Sequence, residues 1–117
     1  MTQHIFDTSY LIAMDSLQEL EELENVVIPS TVLKELDKHK TRPDNVGASA
    51  RAVSRFLFLY LTSSEKTNIR IVHRGNFDIA DDEIVAILKD GHSSIVYTDD
   101  TLLAIRCSSV SENVGLC

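Results

Sequence analysis

The chain has 117 residues, a length that suits one compact domain. Its composition, 44% hydrophobic and 25% charged, is that of an ordinary soluble globular protein. No apolar run approaches the length of a membrane span, and the first residues show no basic-then-apolar leader. The cysteines, Cys107 and Cys117, lack metal-ligand spacing and are predicted to be free thiols. We therefore expect a cytoplasmic protein with no membrane partner.

The net charge of −7 argues at first against a nucleic-acid partner. The basic residues, however, are concentrated in one stretch. Residues 34–55 carry most of them, namely Lys34, Lys38, Lys40, Arg42, Arg51 and Arg55. Two interpretations stay open: a solvated helix–loop–helix surface, or a face that contacts phosphates.

Short apolar runs alternate with helical patterns along the chain. In the first part, residues 4–9 are predicted as a strand, 11–23 as a helix and 25–29 as a buried strand, followed by a helix over 30–40 with Ser30 as its N-cap. After a loop at 41–47 come a helix over 48–61, a strand over 68–73, a helix over 79–90, a strand over 93–98 and a short helix over 102–107.

Strands separated by helices predict a parallel sheet that is covered on both faces, so the class is α/β. Sites in such sheets form outside the carboxyl ends of the strands. Asp7 ends the first strand, and Asp99 and Asp100 follow the last one. Glu35 and Asp81 lie early in helices that follow strands or their loops, so both are expected near the same edge.

The acids Asp7, Glu35, Asp81 and Asp100 form a candidate metal site. Carboxylates supply the oxygen ligands and the balancing charge that Mg²⁺ and Mn²⁺ require. Metals held in this way activate water and stabilise the charge that develops on a phosphodiester. The alternative for each acid is an ordinary place on the surface, and spacing alone does not decide between the two. Alternation along the last strand puts Thr98 and Asp100 on one side and Asp99 on the other.

Four stretches, FDTSYLI, VVIPSTVLKELDKHKTRPDNVGASAR, DDEIVAIL and IVYTDDTLLAIR, resemble the successive motifs of the PIN domain, a family of metal-dependent nucleases. The resemblance runs from residue 4 to about residue 106. The long second stretch resembles in particular the PIN domains that are fused to PhoH-type ATPases. In the third motif Asp81, three residues before Ile84, matches the family's acid better than Asp82 does.

The resemblance implies a single domain over residues 1–117 with a Rossmann-like, three-layer α/β/α sandwich. Its central, mostly parallel sheet would have four to five strands. Family members usually have a strand after the last helix, and residues 111–117 leave barely enough chain for it. The chain looks like a compact, free-standing version, similar in size to toxin nucleases, which suggests a homodimer and an inhibitor protein.

The resemblance also implies one or two Mg²⁺ or Mn²⁺ ions and endonucleolytic cleavage, most often of RNA. In it Asp7, Glu35, Asp81 and Asp100 hold the metal, and Thr98 orients a ligand or a water. We assign substrate contacts to Thr8, Lys38, Arg42 and Arg51, although ordinary solvated positions account for the two arginines equally well.

Other functions were weighed against this one. A PIN-fold binding or regulatory module with little or no activity, and a nuclease acting on DNA, stay open as alternatives. A response-receiver domain is disfavoured because residues 68–75 contain no Asp and no Lys follows Lys89. A D-x-D phosphatase is disfavoured because Thr8 and Ser9 follow Asp7.

Overall fold

The computed structural model describes residues 2–63, 68–110 and 112–117. The strands are β1 (Gln3–Phe6), β2 (Val26–Pro29), β3 (Ile69–Val72), β4 (Ser94–Tyr97) and β5 (Val114–Leu116). The helices are α1 (Thr8–Ala13), α2 (Glu19–Glu22), α3 (Ser30–His39), α4 (Asn45–Thr62), α5 (Ala80–Leu88) and α6 (Thr101–Val110). Within the described residues, none of the helices has the length and hydrophobicity that crossing a membrane requires.

The sheet has five strands in the order β3-β2-β1-β4-β5, and every neighbouring pair is parallel. The predicted α/β class and the parallel sheet are therefore confirmed. The short C-terminal segment does form the expected strand, because Ser94 pairs with Val114 and Val96 with Leu116. Strand β2, which lies between β3 and β1, is fully buried, as expected for a strand covered on both faces.

The strand order reverses direction at β1. The chain runs outward from β1 to β2 and β3, and then returns to place β4 on the other side of β1. Right-handed crossovers place the helices of the two halves on opposite faces of such a sheet. In agreement, α1 and α3 pack against α4, and α6 packs against α5; α3 and α5 also contact each other. The carboxyl ends of β1 and β4 flank the point of reversal, which is where ligands bind in open α/β sheets.

The N-terminal part differs from the prediction. The strand expected over 4–9 ends at Phe6, because the Asp7 carboxylate accepts the backbone N–H of Thr8 and caps α1. The single helix expected over 11–23 is two short helices, since Met14 is extended and ends α1. This break allows Leu11 and Leu20, 1% and 0% exposed, both to enter the core.

The ends of α3 and α4 also differ from the prediction. Pro29 occupies the N-cap position of α3, and the hydroxyl of Ser30, expected to cap the helix, donates to Glu83 instead. Helix α4 begins at Asn45, three residues before the predicted start, because the Asp44 side chain accepts the N–H of Gly47 at 3.2 Å. The predicted loop over 41–47 is correspondingly shorter.

Candidate active site

The register of β1 and β4 places Asp7 beside Thr98. Phe6 pairs with Tyr97, so the next residue of each strand lies next to the other. The hydroxyl of Thr98 donates to Oδ2 of Asp7 at 2.8 Å, and that of Ser9 donates to the same oxygen at 3.2 Å. The other oxygen, Oδ1, accepts the N–H of Thr8 at 2.9 Å. Neutral donors thus fix both oxygens of a carboxylate that is only 5% exposed.

Glu35 joins three elements at the edge of the sheet. Its Oε1 accepts the hydroxyl of Thr8 at 2.5 Å, and its Oε2 accepts the N–H of Ala80 at 2.9 Å. The first bond ties α3 to the start of α1, and the second ties α3 to the start of α5. Thr8, predicted to contact substrate, is buried and directs its hydroxyl at Glu35. Its substrate contact stays a prediction.

Asp81 and Asp100 lie at the starts of two helices, α5 and α6, and both line the same cleft. Asp100 caps α6, because its Oδ1 accepts the N–H groups of Leu102 and Leu103 at 2.9 and 3.2 Å. Its own N–H donates to the Thr98 hydroxyl at 3.0 Å, so Thr98 bridges Asp7 and Asp100. Asp81 is the second residue of α5.

A cleft of about 460 Å³ collects all four predicted metal acids, which come from separate elements. Its other lining residues are Thr8, Ser9, Ile12, His39, Val46 and Asp99. Asp99 was expected to point away from Asp100, but alternation ends with β4 at Tyr97, and Asp99 lies on the exposed rim of the cleft. Thr98 does not line the cleft, but its hydroxyl holds the carboxylate of Asp7, which does.

The cleft is electrostatically unfavourable for its own acids. Burial raises the pKa of Asp7 above its usual value, and the nearby Glu35 raises it further, against hydrogen bonds that lower it. Burial also raises the pKa of Asp81, together with the negative charges of Asp7, Asp100 and Glu35. Like charges gathered in this way favour protonation or a bound cation.

The donor set fits a hard divalent cation, because it consists of carboxylate oxygens. Oδ2 of Asp7 accepts the hydroxyls of Ser9 and Thr98, whereas Oδ1 accepts only the N–H of Thr8 and keeps a lone pair for an ion. Across the described residues, no three His, Cys, Asp or Glu side chains stand close enough together to enclose an ion. Closure around a metal therefore requires some of these side chains to rotate.

The predicted substrate-binding cations do not line the cleft. Arg42 forms an ion pair with Asp44 at 2.5 Å. The guanidinium of Arg51 donates to the backbone carbonyls of Lys40 and Arg42 at 2.6 and 3.1 Å, which closes the loop between α3 and α4. Lys38 is exposed on α3. The structure thus gives both arginines a structural contact, and substrate binding by these residues stays a prediction.

Sequence reasoning missed two residues near the site. His39 lines the cleft, and its signal was available, because it lies four residues after Glu35 and so shares its helix face. Glu83 is fully buried on α5 and accepts hydrogen bonds from two other segments. Its position inside a run of three acids gave no sign of burial.

Carboxylates after β1 and β4, an acid early in α3 and an acid at the start of α5 thus meet in one cleft. The sequence and the fold have counterparts among known proteins. The PIN domain family matches residues 4–111. The chain belongs to this family. PIN domains are commonly nucleases.

Two solved structures share the fold. The PIN domain of human SMG5 is 19% identical, with a TM-score of 0.62 over 97% of this chain and 90% of that one. The PIN domain endonuclease Utp24 is 18% identical, with a TM-score of 0.56 over 89% of this chain and 75% of that one. No curated protein matches the chain.

Proposed function

We propose that this PIN domain is a metal-dependent endoribonuclease that hydrolyses phosphodiester bonds of RNA. The observation that carries the proposal is the convergence of Asp7, Glu35, Asp81 and Asp100 on one cleft, where burial and the neighbouring acids raise the pKa of Asp7 and of Asp81. These residues would hold one or two Mg²⁺ or Mn²⁺ ions. When bound, the metal supplies Lewis-acid stabilisation of the phosphate and a water of lowered pKa.

The chain's own residues orient the acids without neutralising them. Thr98 and Ser9 fix the carboxylate of Asp7 by donating hydroxyl hydrogens, and Thr8 does the same for Glu35. A neutral donor restricts rotation but leaves the negative charge available to a cation. This keeps Asp7 and Glu35 oriented before any ion arrives.

A nucleic acid is proposed as the substrate because exposed cations lie on α3, the helix that carries Glu35, and the choice of RNA over DNA follows from the family resemblance. Lys34 and Lys38 are one turn apart and exposed. In the part of the chain that the structure describes, neither forms an ion pair, whereas Lys40 pairs with Asp37. Free cations beside an acidic cleft favour a phosphate backbone that passes across it.

The finer resemblance, to PIN domains of PhoH-type ATPases, is also part of the proposal. It rests on residues 26–51, where Gly47 and Arg51 hold the loop between α3 and α4. Homodimerisation, an inhibitor protein and a cytoplasmic location stay predictions that follow from the resemblance to toxin nucleases and from composition.

An inactive binding module is the second candidate, and one observation favours it. The cleft acids, as they stand in the described residues, do not enclose an ion site. In this alternative the cleft would bind a cation weakly or not at all, and nucleic acid would bind without being cut.

The decisive experiment compares cleavage of end-labelled single-stranded RNA and DNA by the wild type and by Asp7→Asn in Mn²⁺. Asp37→Asn is the matched control, because Asp37 is an exposed carboxylate on the surface of α3 and its ion-pair partner among the described residues is Lys40. Loss of a residue that merely supports a metal ligand costs about 10–100-fold, so loss of a ligand should lower the RNA cleavage rate by about 100-fold or more.

We expect EDTA to abolish cleavage and Asp37→Asn to cut RNA at the wild-type rate. Equal rates for Asp7→Asn and wild type would rule out the assignment. Absence of both Mn²⁺ binding and cleavage of either nucleic acid would favour the inactive module, and preferential cleavage of the labelled DNA would make DNA, not RNA, the substrate.

A further inference from the structure

Glu83 is a fully buried carboxylate that takes no part in lining the cleft. It is 0% exposed, on the inner face of α5. Its Oε1 accepts the N–H and the hydroxyl of Thr31 at 2.7 and 2.6 Å, and its Oε2 accepts the N–H of Arg74 at 2.8 Å. The hydroxyl of Ser30 lies 3.0 and 2.9 Å from the two oxygens.

All of these donors belong to segments that leave neighbouring parallel strands. Pro29 and Val72 pair at the ends of β2 and β3, so Ser30 and the segment at 73–74 emerge side by side. Glu83 reaches back from α5 and binds both. One carboxylate therefore joins the start of α3, the segment that follows β3, and α5.

These three segments carry or orient two of the cleft acids. Glu35 lies one turn after Thr31 on α3, and Asp81 lies two residues before Glu83 on α5. The segment that begins at Arg74 leads to Ala80, whose N–H donates to Oε2 of Glu35. A shift of α5 against α3 would lengthen this bond and separate Asp81 from Glu35.

We propose that Glu83 is a positioning residue that holds α5 against α3 and thereby sets the placement of Asp81 relative to Glu35. Its bearing on cation affinity rests on the proposed function, whereas its effect on the geometry does not. Two acceptor oxygens are needed at this position because the buried N–H of Thr31 and the part-buried N–H of Arg74 each bond to a different one. An apolar residue would leave the N–H of Thr31 without a partner inside the protein.

Glu83→Gln is the sharpest variant. It keeps the size of the side chain but replaces one acceptor oxygen by an amide NH₂, which cannot accept the N–H of Arg74. Ile87→Val is the matched control, because Ile87 is buried on the same helix at 3% exposure and its truncation lowers stability without touching these hydrogen bonds. Thr31→Val, which removes one donor and preserves shape, is a milder second variant that keeps the test valid if Glu83→Gln fails to fold.

Two readouts separate positioning from a general loss of stability. Amide hydrogen exchange at Ala80 reports the bond to Glu35 directly, and calorimetry reports Mn²⁺ affinity. We expect Glu83→Gln to exchange faster at Ala80 and to raise the Kd for Mn²⁺ by about 10–100-fold, the cost typical of residues that orient ligands. Thr31→Val should change the Ala80 exchange rate and the Kd for Mn²⁺ in the same direction but by less, and Ile87→Val should change neither quantity.

The proposal is overturned if Glu83→Gln and Thr31→Val lower the melting temperature but match Ile87→Val in Ala80 exchange and in Mn²⁺ affinity. If the wild type binds no Mn²⁺, the proposed function fails instead. The exchange of Ala80 then decides the positioning role by itself: faster exchange in Glu83→Gln supports it, and unchanged exchange overturns it.

Discussion

Thr98 is the residue whose replacement tests the construction of the cleft most directly. Its hydroxyl donates to Asp7 and accepts the N–H of Asp100, so a single side chain connects two of the four acids. Thr98→Val preserves the branched shape but removes both hydrogen bonds. Thr98→Ser preserves both and loses only a methyl group.

The size of the effect follows from these two bonds. A hydrogen bond to a charged group contributes about 1.5–3 kcal/mol net, and the bond to Asp7 is of this kind. Asp100 is only partly buried, so its N–H is able to bond to water instead and the loss of this second bond adds little. We expect Thr98→Val to lower the free energy of unfolding by about 1.5–3 kcal/mol. At ~4 °C per kcal/mol for a domain of this size, the melting temperature falls by roughly 6–12 °C.

Thr98→Val should also shift the pH dependence of Mn²⁺ binding to higher pH. Burial raises the pKa of Asp7, and the Thr98 hydrogen bond is the first of the contacts that lower it. Removing the bond therefore raises this pKa further. Because a metal ligand must be ionised, Mn²⁺ binding by Thr98→Val should be lost at a higher pH than in the wild type as the solution is acidified.

The difference in unfolding free energy between wild type and Thr98→Val should also depend on pH, and it should grow as the pH rises. When the pKa of a carboxyl is higher in the folded than in the unfolded protein, protonation of that carboxyl stabilises the fold. This stabilisation is complete below the unfolded pKa and is lost as the pH rises through the folded pKa. The lost bond matters most when Asp7 is ionised. The gap in stability between wild type and Thr98→Val should thus be widest near neutral pH and should narrow at acid pH.

Thermal unfolding and Mn²⁺ calorimetry between about pH 5 and about pH 8 test both effects, a range that lies above the ordinary pKa of Asp. Thr101→Val is the control, because Thr101 is an exposed residue of the same type at the start of α6. The reasoning is refuted if Thr98→Val loses no more stability than Thr101→Val, or if Thr98→Ser behaves like Thr98→Val.

Two further variants probe the acids and the loop that frames them. Asp81→Asn removes a carboxylate whose pKa burial and neighbouring acids raise, so at neutral pH the metal-free variant should be more stable than wild type by up to about 1 kcal/mol. Denaturant unfolding measures this gain, which should vanish at acid pH, and a less stable variant at neutral pH contradicts it. Gly47→Ala would place a Cβ 1.9 Å from the carbonyl oxygen of Arg42. We expect a loss of about 1–3 kcal/mol of unfolding free energy by the same method, and an unchanged stability would contradict the close approach.

The sequence predicted the edge of the sheet where the acids meet because two of them directly follow strands. Apolar runs separated by helices require parallel pairing, and parallel strands bring their carboxyl ends to one side. Asp7 and Asp100 could be placed there without coordinates. The hydrogen bond between Asp7 and Thr98 could not be predicted, because it depends on the pairing of Phe6 with Tyr97. Two short apolar runs do not determine the register in which they pair.

Glu83 and Arg51 could not be assigned from the sequence, because their partners lie far along the chain or in the backbone. Glu83 binds Thr31, which is 52 residues away. Arg51 binds the carbonyls of Lys40 and Arg42, and no residue type marks a carbonyl that lacks a partner. From the sequence, a charged residue such as Glu83 or Arg51 is expected to face solvent or a ligand. In the fold, both residues instead form hydrogen bonds with backbone groups.

The cations of the protein are distributed so that the cleft keeps its charge. In the described residues, ion pairs engage acids outside the site, namely Asp37, Asp44, Asp82 and Asp90. Asp82 pairs with Arg106 at 3.0 Å, while its neighbour Asp81 faces the cleft and makes no ion pair within those residues. An arginine paired with Asp81 would stabilise the fold but would occupy the place of a cation. Hydroxyl and amide donors instead orient Asp7, Glu35 and Asp100. The repulsion among the cleft acids therefore persists until a positive ligand relieves it.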